Sequence, residues 1–450
     1  MKILVINGSP KGESSITVQT VKYWELLHAE HSFTYLNAGQ EIRALEKDFS
    51  RARRLLEEAE LLLFSYPVYT FLAPSQLHRF ISLLKKSGVN LRGKRAAQVT
   101  TSKHFYDTTA QRYIRENCAD MGLVYLDGLY ADMDDLTEAQ GQKQARQFFD
   151  RLLFLAAQPL PVPEAQKQAA YCGKIALLPA ETVEKKAGAI SLVADMGPED
   201  ASLRAMTERF MAVCPYTVKL FNIRNYPFGG GCLGCFHCAK DGVCIYKDGF
   251  SDMLREIQSA KAIVLAFSIK DHSMGSVFKT YDDRQFANGH RTVTEGIPFG
   301  YLVSGPLSAE ENLRQVIEAR AAVGGNPLMG IATDETDPDG ETDLLAASLA
   351  FAVENGYSAP RSFYGVGGMK IFRDLIYTMR GLMRADHAFF KARGQYDFPQ
   401  KKPGRILKMY LAGALMNNKG LRAKAGSKMT EGMLAPYTKV LDGVRKEKQL

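Results

Sequence analysis

The chain has 450 residues, of which 46% are hydrophobic and 24% charged, and carries a net charge of +8. This length calls for two or three domains, and the composition is that of a globular protein with enough apolar residues for a full core. Seven cysteines, an odd number with four close together, argue against a secreted disulfide framework and for a metal or redox site. No apolar run reaches the length of about 18 residues that a membrane-spanning helix needs. The opening MKILVINGSP lacks the features of a signal peptide, so the expected compartment is the cytoplasm. From residue 361 onward, 19 Lys and Arg stand against 6 Asp and Glu, a net of +13 that leaves −5 for the rest. Cys118, Cys172 and Cys214 are scattered and read as buried, reduced apolar residues.

Residues 1–156 alternate strand and helix patterns. KILVING, SFTYLNA, LLLFSYP, KRAAQVTTS and LVYLDGLY read as strands. SITVQTVKYWELLHAE, FSRARRLLEEA, PSQLHRFISLLKKSG, AQRYIRENCADMG and EAQGQKQARQFFDRLLFLA read as helices. Alternation of this kind predicts a parallel sheet covered on both faces, and five strands suggest the flavodoxin-like doubly wound order. A Pro-rich stretch, 157–169, reads as a stiff linker. The pattern then restarts over 170–360, with strands at GAISLVADMG, YTVKLFNI, KAIVLAFSI, FGYLVSGP and PLMGIATDE and helices between them. The expected fold is therefore α/β: two flavodoxin-like doubly wound parallel-sheet domains in tandem, plus a basic helical extension over 361–450. In that extension MKIFRDLIYTMRGLMRADHAFFKA and PGRILKMYLAGALMN are amphipathic helices with interleaved Lys and Arg. A helical appendage on the second domain or at a subunit interface is one reading, and a peripheral membrane contact is another. Nucleic acid is not expected, because no recognised binding module accompanies the charge.

The segment NGSPKGESSIT joins the first strand to the first helix at the carboxyl edge of the sheet, where doubly wound folds bind ligands. Gly8 and Gly12 permit a tight bend. Ser9, Ser14, Ser15 and Thr17 offer hydroxyls, Lys11 a charge, and the helix start its N–H groups, which together form a phosphate cradle. The pattern is neither G-x-x-x-x-G-K-[ST] nor G-x-G-x-x-G, so an NTPase loop and a Rossmann dinucleotide site are disfavoured. Glu13 would repel a phosphate and is expected to point to solvent.

With these residues the chain resembles the NADPH-dependent FMN reductase branch of the flavodoxin-like superfamily. The resemblance implies FMN held by three loops. Ser9, Lys11, Gly12, Ser14, Ser15, Ile16 and Thr17 would take the phosphate. Pro67, Val68, Tyr69, Thr70 and Phe71 would run beside the ring, and Thr101, Ser102, His104 and Phe105 would meet its other side.

In the second half, GCLGCFHCAKDGVC spaces four thiols as Cys232-x2-Cys235-x2-Cys238-x5-Cys244. Compact runs of this type bind iron–sulfur cores. Zinc also takes four thiolates, and redox or merely structural thiols are a further alternative. The segment through the following helix and strand resembles iron–sulfur flavoproteins, and the resemblance implies a [4Fe-4S] cluster that exchanges electrons with FMN. The second half's own phosphate-loop equivalent, ADMGPEDASL, carries Asp195, Glu199 and Asp200 and one hydroxyl, Ser202, so loss of a second FMN phosphate site is expected. A partial cleft lined by His272, Tyr281 and Arg284 is expected to remain. The functional expectation is a flavin oxidoreductase, a homo-oligomer, passing electrons from NAD(P)H through FMN to the cluster or a small acceptor. The alternatives are an FMN-dependent quinone, azo or nitro reductase with structural cysteines, and a non-enzymatic electron carrier. Hydride transfer to a flavin requires no acid–base side chain, so no catalytic residue is expected.

Overall fold

The computed structural model describes residues 1–164, 171–179 and 181–416, with residues 434, 437, 438, 440–442, 445 and 446 near the C-terminus. The linker expected over 157–169 lies partly outside the described residues, as does the last part of the basic extension.

The first half runs β1 (Lys2–Asn7), α1 (Ile16–Leu27), β2 (Ser32–Leu36), α2 (Ala38–Lys47), α3 (Ser50–Glu58), β3 (Leu61–Pro67), α4 (Ser75–Ser87), β4 (Arg95–Ser102), α5 (Asp107–Asp120), β5 (Val124–Asp132) and α6 (Ala139–Ala156). The second half runs β6 (Lys186–Asp195), α7 (Ala201–Val213), β7 (Tyr216–Asn222), α8 (Phe250–Gln258), β8 (Ala262–Ser268), α9 (Gly275–Arg284), β9 (Phe299–Ser304), α10 (Glu311–Gly324), β10 (Leu328–Thr333) and α11 (Pro338–Asn355). Three helices follow: α12 (Phe363–Thr378), α13 (Arg384–Ala392) and α14 (Pro403–Met416). The sheets have the orders β2-β1-β3-β4-β5 and β10-β9-β8-β6-β7, and all strand pairs are parallel. Renumbered within its half, the second order is the same as the first. Both are the flavodoxin-like order.

Strand alternation divides the core. In β1 and β3, Ile3, Val5, Leu61 and Leu63 face one side with Trp24 and Phe149, while Leu4, Ile6, Leu62 and Phe64 face the other. In β8, Ala262, Val264 and Ala266 face outward to α7 and α11, and Ile263, Leu265 and Phe267 face inward. The inward faces of both sheets and their helices form one continuous apolar cluster, so the two halves share a core. Each fully buried Leu or Phe in it contributes about 2 kcal/mol. The halves meet through α4 against α9 and α5 against α10, which are equivalent helices of the two sheets.

The compact unit that contains both sheets extends to Phe389, and Phe390–Leu450 form a second one. The stretch expected as one long helix, MKIFRDLIYTMRGLMRADHAFFKA, is broken between α12 and α13. α12 packs on α10 because two glycines permit it: a Cβ on Gly365 would lie 2.6 Å from the Ala322 carbonyl oxygen, and one on Gly368 would lie 2.7 Å from Val323. Among the described residues no helix is long and apolar enough to cross a membrane. Cys118 and Cys214 are buried as expected, whereas Cys172 is exposed, on the segment that leads into the second half.

Candidate functional site

The carboxyl ends of β1, β3 and β4 open onto a cavity of about 910 Å³, at the large end of the range for ligand sites. All three predicted loops reach it. Ser9, Lys11, Ser15, Ile16 and Thr17 line it from the first loop, Pro67, Val68, Tyr69, Thr70 and Phe71 from the second, and Thr101, Ser102 and Phe105 from the third. Gly12, Ser14 and His104 do not line it: Gly12 is buried in the loop's short turn, Ser14 is exposed, and His104 turns to Asp107 at 2.9 Å with half of its side chain in solvent.

The first loop is braced from behind. Asn7 Oδ1 accepts the Ser9 N–H at 3.1 Å, and Thr17 and Thr101 join their hydroxyls at 2.6 Å, which ties the phosphate loop to the third loop. No side chain caps the start of α1. Its first residues therefore present N–H groups and the positive dipole end to the cavity they line, as an anion requires. Glu13 points away and pairs with Lys22 at 3.1 Å. The uncapped helix start, the buried hydroxyls and Lys11 fit the phosphate of FMN.

The second loop is strained and held. Thr70 and Phe71 adopt φ of +43° and +73°, a region that costs a non-glycine residue on the order of 1–3 kcal/mol. Lys279 of α9 pins this loop. Its ammonium is fully buried and donates to the Tyr69 carbonyl at 2.9 Å and the Thr70 hydroxyl at 2.5 Å, and pairs with Asp282 at 3.1 Å and Asp283 at 2.5 Å. Asp283 in turn accepts the Ser75 N–H at 2.7 Å, and Asp282 pairs with Arg320 at 2.7 Å. Burial pushes the Asp283 carboxyl up against the pull of Lys279, whereas at Asp282 burial is outweighed by Arg320 and Lys279, which hold it down.

The opposite wall is the cysteine segment of the same chain. Cys232, Cys235, Cys238 and Cys244 all line the cavity. Gln76 donates to the Cys232 carbonyl at 3.1 Å, Arg43 to that of Gly229, and Lys11 lies 5.9 Å over the Phe236 ring. Gly234, at φ +59°, passes so close to Tyr69 that a Cβ would lie 2.0 Å from the phenol oxygen. Arg284 anchors the segment from behind: it is buried, bonds the Gly230 carbonyl at 3.0 Å, pairs with Asp248 at 2.9 Å and sits between the Tyr246 and Phe250 rings. Burial opposes ionisation of Asp248, but Arg284 and the Gly229 N–H outweigh it and hold the carboxyl at about 2.

Burial pushes the Cys232 thiol up to about 12 and the Cys238 thiol up to about 11. Cys235 is exposed and Cys244 half-buried. Among the described residues no three of these sulfurs lie within 4.8 Å of one another. A single zinc ion at about 2.3 Å from each sulfur requires a tighter set, so the segment does not fit mononuclear zinc as it stands.

Several contributors were not visible in the sequence. Phe372 of α12 packs on Phe105 with ring centroids 4.4 Å apart, and Ile371, Asp374 and Leu375 join it in closing the cavity. Arg291 and Arg320 add cationic groups to the lining.

The second half presents a different picture at its equivalent edge. Arg224 pairs with Asp195 at 2.6 Å, Glu199 at 2.9 Å and Asp200 at 3.4 Å, and Asp200 accepts the Gly197 N–H at 2.8 Å. Carboxylates occupy the loop from within, and Ser202 is committed to Asp334 at 2.5 Å. The incoming segment crosses the same edge: Tyr171 donates to Asp334 at 2.7 Å, and the Lys174 N–H to its carbonyl at 2.8 Å. The partial cleft expected from His272, Tyr281 and Arg284 is not formed. Tyr281 is buried in the shared core, Arg284 faces the cysteine segment, and His272 lies at the seam between the halves.

A family model described as flavodoxin-like fold matches residues 1–152. The chain is 28% identical over 174 residues to an iron-sulfur flavoprotein of Archaeoglobus fulgidus, which covers 36% of this chain and 78% of that protein. Among solved structures, an FMN-dependent NADH-azoreductase from Bacillus anthracis is 16% identical, over 34% of this chain and 99% of its own, with a TM-score of 0.29. An NAD(P)H:quinone oxidoreductase from Methanothermobacter marburgensis is 14% identical, over 34% of this chain and 94% of its own, with a TM-score of 0.26.

Proposed function

We propose that the chain is an FMN-dependent oxidoreductase that takes electrons from NAD(P)H and reduces a small planar acceptor of the quinone, azo or nitro type. The observation that carries this reading is the single cavity that joins the anion-binding start of α1, the pinned ring loop and an aromatic lid. Bound FMN supplies the chemistry, accepting a hydride and releasing electrons singly or in pairs. The chain's own residues bind and orient. Ser9, Ser15, Thr17 and Lys11 hold the phosphate, the loop from Pro67 to Phe71 sets the ring plane, and Phe105 and Phe372 cover an apolar face and exclude water.

A second reading is supported by the cysteines lining that same cavity and by the iron-sulfur flavoprotein relative. In it Cys232, Cys235, Cys238 and Cys244 hold a [4Fe-4S] cluster that relays flavin electrons to a partner. One comparison separates the readings: iron, sulfide and NAD(P)H-driven quinone reduction, measured in anaerobically prepared wild type and Cys235→Ala. Quinone reduction without iron, and intact in the variant, supports the reductase. About four irons per chain, lost in the variant with FMN retained, supports the relay. Failure of the wild type to oxidise NAD(P)H with any acceptor refutes the enzyme and leaves an electron carrier.

A further inference from the structure

The seam between the halves carries a polar cluster that the flavin cavity does not use. It forms where the C-terminal end of α5 meets the loop after β8 and the residue preceding α10. In the first half the ring loop is closed by a bridge between Tyr69 and Leu72. In the second half the equivalent bridge joins Lys270 and Ser273, so His272 stands where Phe71 stands. His272 has the left-handed backbone of that position, φ +61° against +73°. The two loops share their geometry, with an imidazole in the second half where the first has a phenyl ring.

Carboxylates surround that imidazole. Nε2 lies 3.0 Å from Asp120 Oδ2, and Nδ1 lies 2.9 Å and 3.1 Å from the two oxygens of Glu310. Glu116, one turn before Asp120, completes the group: ligand atoms of Glu116, His272 and Glu310 all lie within 4.8 Å of one another. No other set of three such residues does so among the described residues. Two acceptors in the cluster are buried without a hydrogen-bond partner, Glu116 Oε2 and Asp120 Oδ1. The side chains of Asp120 and Glu310 are only 9% and 8% exposed. Buried acceptors left without donors are destabilising, and such a cluster draws positive charge to itself. Lys85 supplies part of it, at 2.5 Å from Asp120 and 3.2 Å from Asp271. Arg112 also acts on Glu116 from α5 itself.

We propose that Glu116, His272 and Glu310 bind one divalent first-row cation at this seam. Asp120 is placed to accept the Nε2–H of His272, which leaves Nδ1 as the metal-binding nitrogen. A carboxylate behind a ligating imidazole is the usual way to fix tautomer and ring orientation. One imidazole and two carboxylates suit Mn²⁺, Fe²⁺ or Zn²⁺, with water in the remaining positions. The cation balances the two ligating carboxylates, while Lys85 remains for Asp120. Its ligands come from both halves, so it cross-links α5 of the first half to the loop and helix start of the second. The link reaches the flavin loop, because Thr109 of α5 donates to the Phe71 carbonyl.

The test uses the full chain, stripped with a chelator and dialysed, then titrated with MnCl₂ alone. Mn²⁺ is chosen because thiolates compete poorly for it. Bound metal is read from the loss of the free-ion electron paramagnetic resonance signal. The expected result is one Mn²⁺ per chain, with a higher thermal midpoint in its presence. Glu116→Gln is expected to weaken binding at least tenfold. Asp120→Asn, acting through His272, is expected to weaken it about 10- to 100-fold. Circular dichroism checks that each variant is folded. Glu116 Oε2 makes no hydrogen bond, so Glu116→Gln is the variant least exposed to misfolding. The competing state is an imidazolium held between Asp120 and Glu310 with no metal. Absence of bound Mn²⁺ in the wild type, or binding unchanged in folded Glu116→Gln, establishes that state and overturns the proposal.

Discussion

Replacing Lys279 by methionine probes the joint between fold and site. The ammonium is fully buried and faces Asp283, also fully buried, and Asp282. A methionine keeps most of the volume and removes the charge, which leaves Asp283 without its cation. Breaking a buried pair from one side costs about 3–5 kcal/mol. For a unit of this size that lowers the thermal midpoint by about 4–6 °C. The same ammonium holds the Tyr69 carbonyl and the Thr70 hydroxyl in a loop whose two left-handed residues store on the order of 1–3 kcal/mol each. Release of even one residue's strain to a relaxed, non-binding loop corresponds to about a tenfold loss of FMN affinity. The assays are differential scanning calorimetry and flavin titration by fluorescence quenching. The double variant Lys279→Met/Asp283→Asn removes the orphaned charge as well. It is expected to recover at least half of the lost stability but not the FMN affinity, because the loop contacts stay broken. A single variant with an unchanged midpoint and FMN affinity within twofold of wild type refutes this account of the ring loop.

Three further outcomes are expected. Thr17→Asp places a carboxylate in the phosphate loop, and the purified variant is expected to lose its yellow colour while its circular dichroism stays that of wild type. A fully flavinated variant contradicts the phosphate assignment. Gly234→Ala forces a methyl group onto the Tyr69 phenol from a left-handed position, so FMN binding should weaken several-fold, and a variant identical to wild type in flavin titration rules out the close approach. Asp248 is held at about 2, below its ordinary 3.8, so its pairing with Arg284 adds stability above pH 3.8 that is lost as pH falls through about 2. The slope of stability against pH across that window is expected to be shallower in Asp248→Asn, and parallel curves count against the pairing.

Both sheets were legible because a parallel sheet covered on two faces requires near-continuous apolar strands, and each was bounded by a turn signal. α2 was missed although Ala38, Ile42 and Leu45 repeat at helical spacing, because its polar face and short length hide it between strand and helix. That the three loops at the first sheet edge line one cavity was readable from local chemistry, since hydroxyls, glycine and a helix start fall within one short segment at the carboxyl edge of the sheet. What the sequence concealed was pairing between distant segments. Arg284, Tyr281 and His272 read as a cleft of the second half, but their partners lie on Asp248, in the shared core and on α5. Those partners follow from the way α4 meets α9 and α5 meets α10, a packing that local pattern does not specify. α12 read as part of a basic appendage, and its place over the cavity depends on two glycines and on Phe105 far away in sequence.

In the proposed arrangement one chain builds one flavin site, from the loops of its first half and the cysteine wall of its second, while carboxylates fill the equivalent loop near Asp195. Flavin released by acid from the freshly purified chain, divided by chain concentration, is the measurement that checks this stoichiometry. One FMN per chain is expected. A ratio near two, or none after reconstitution with excess FMN, contradicts it.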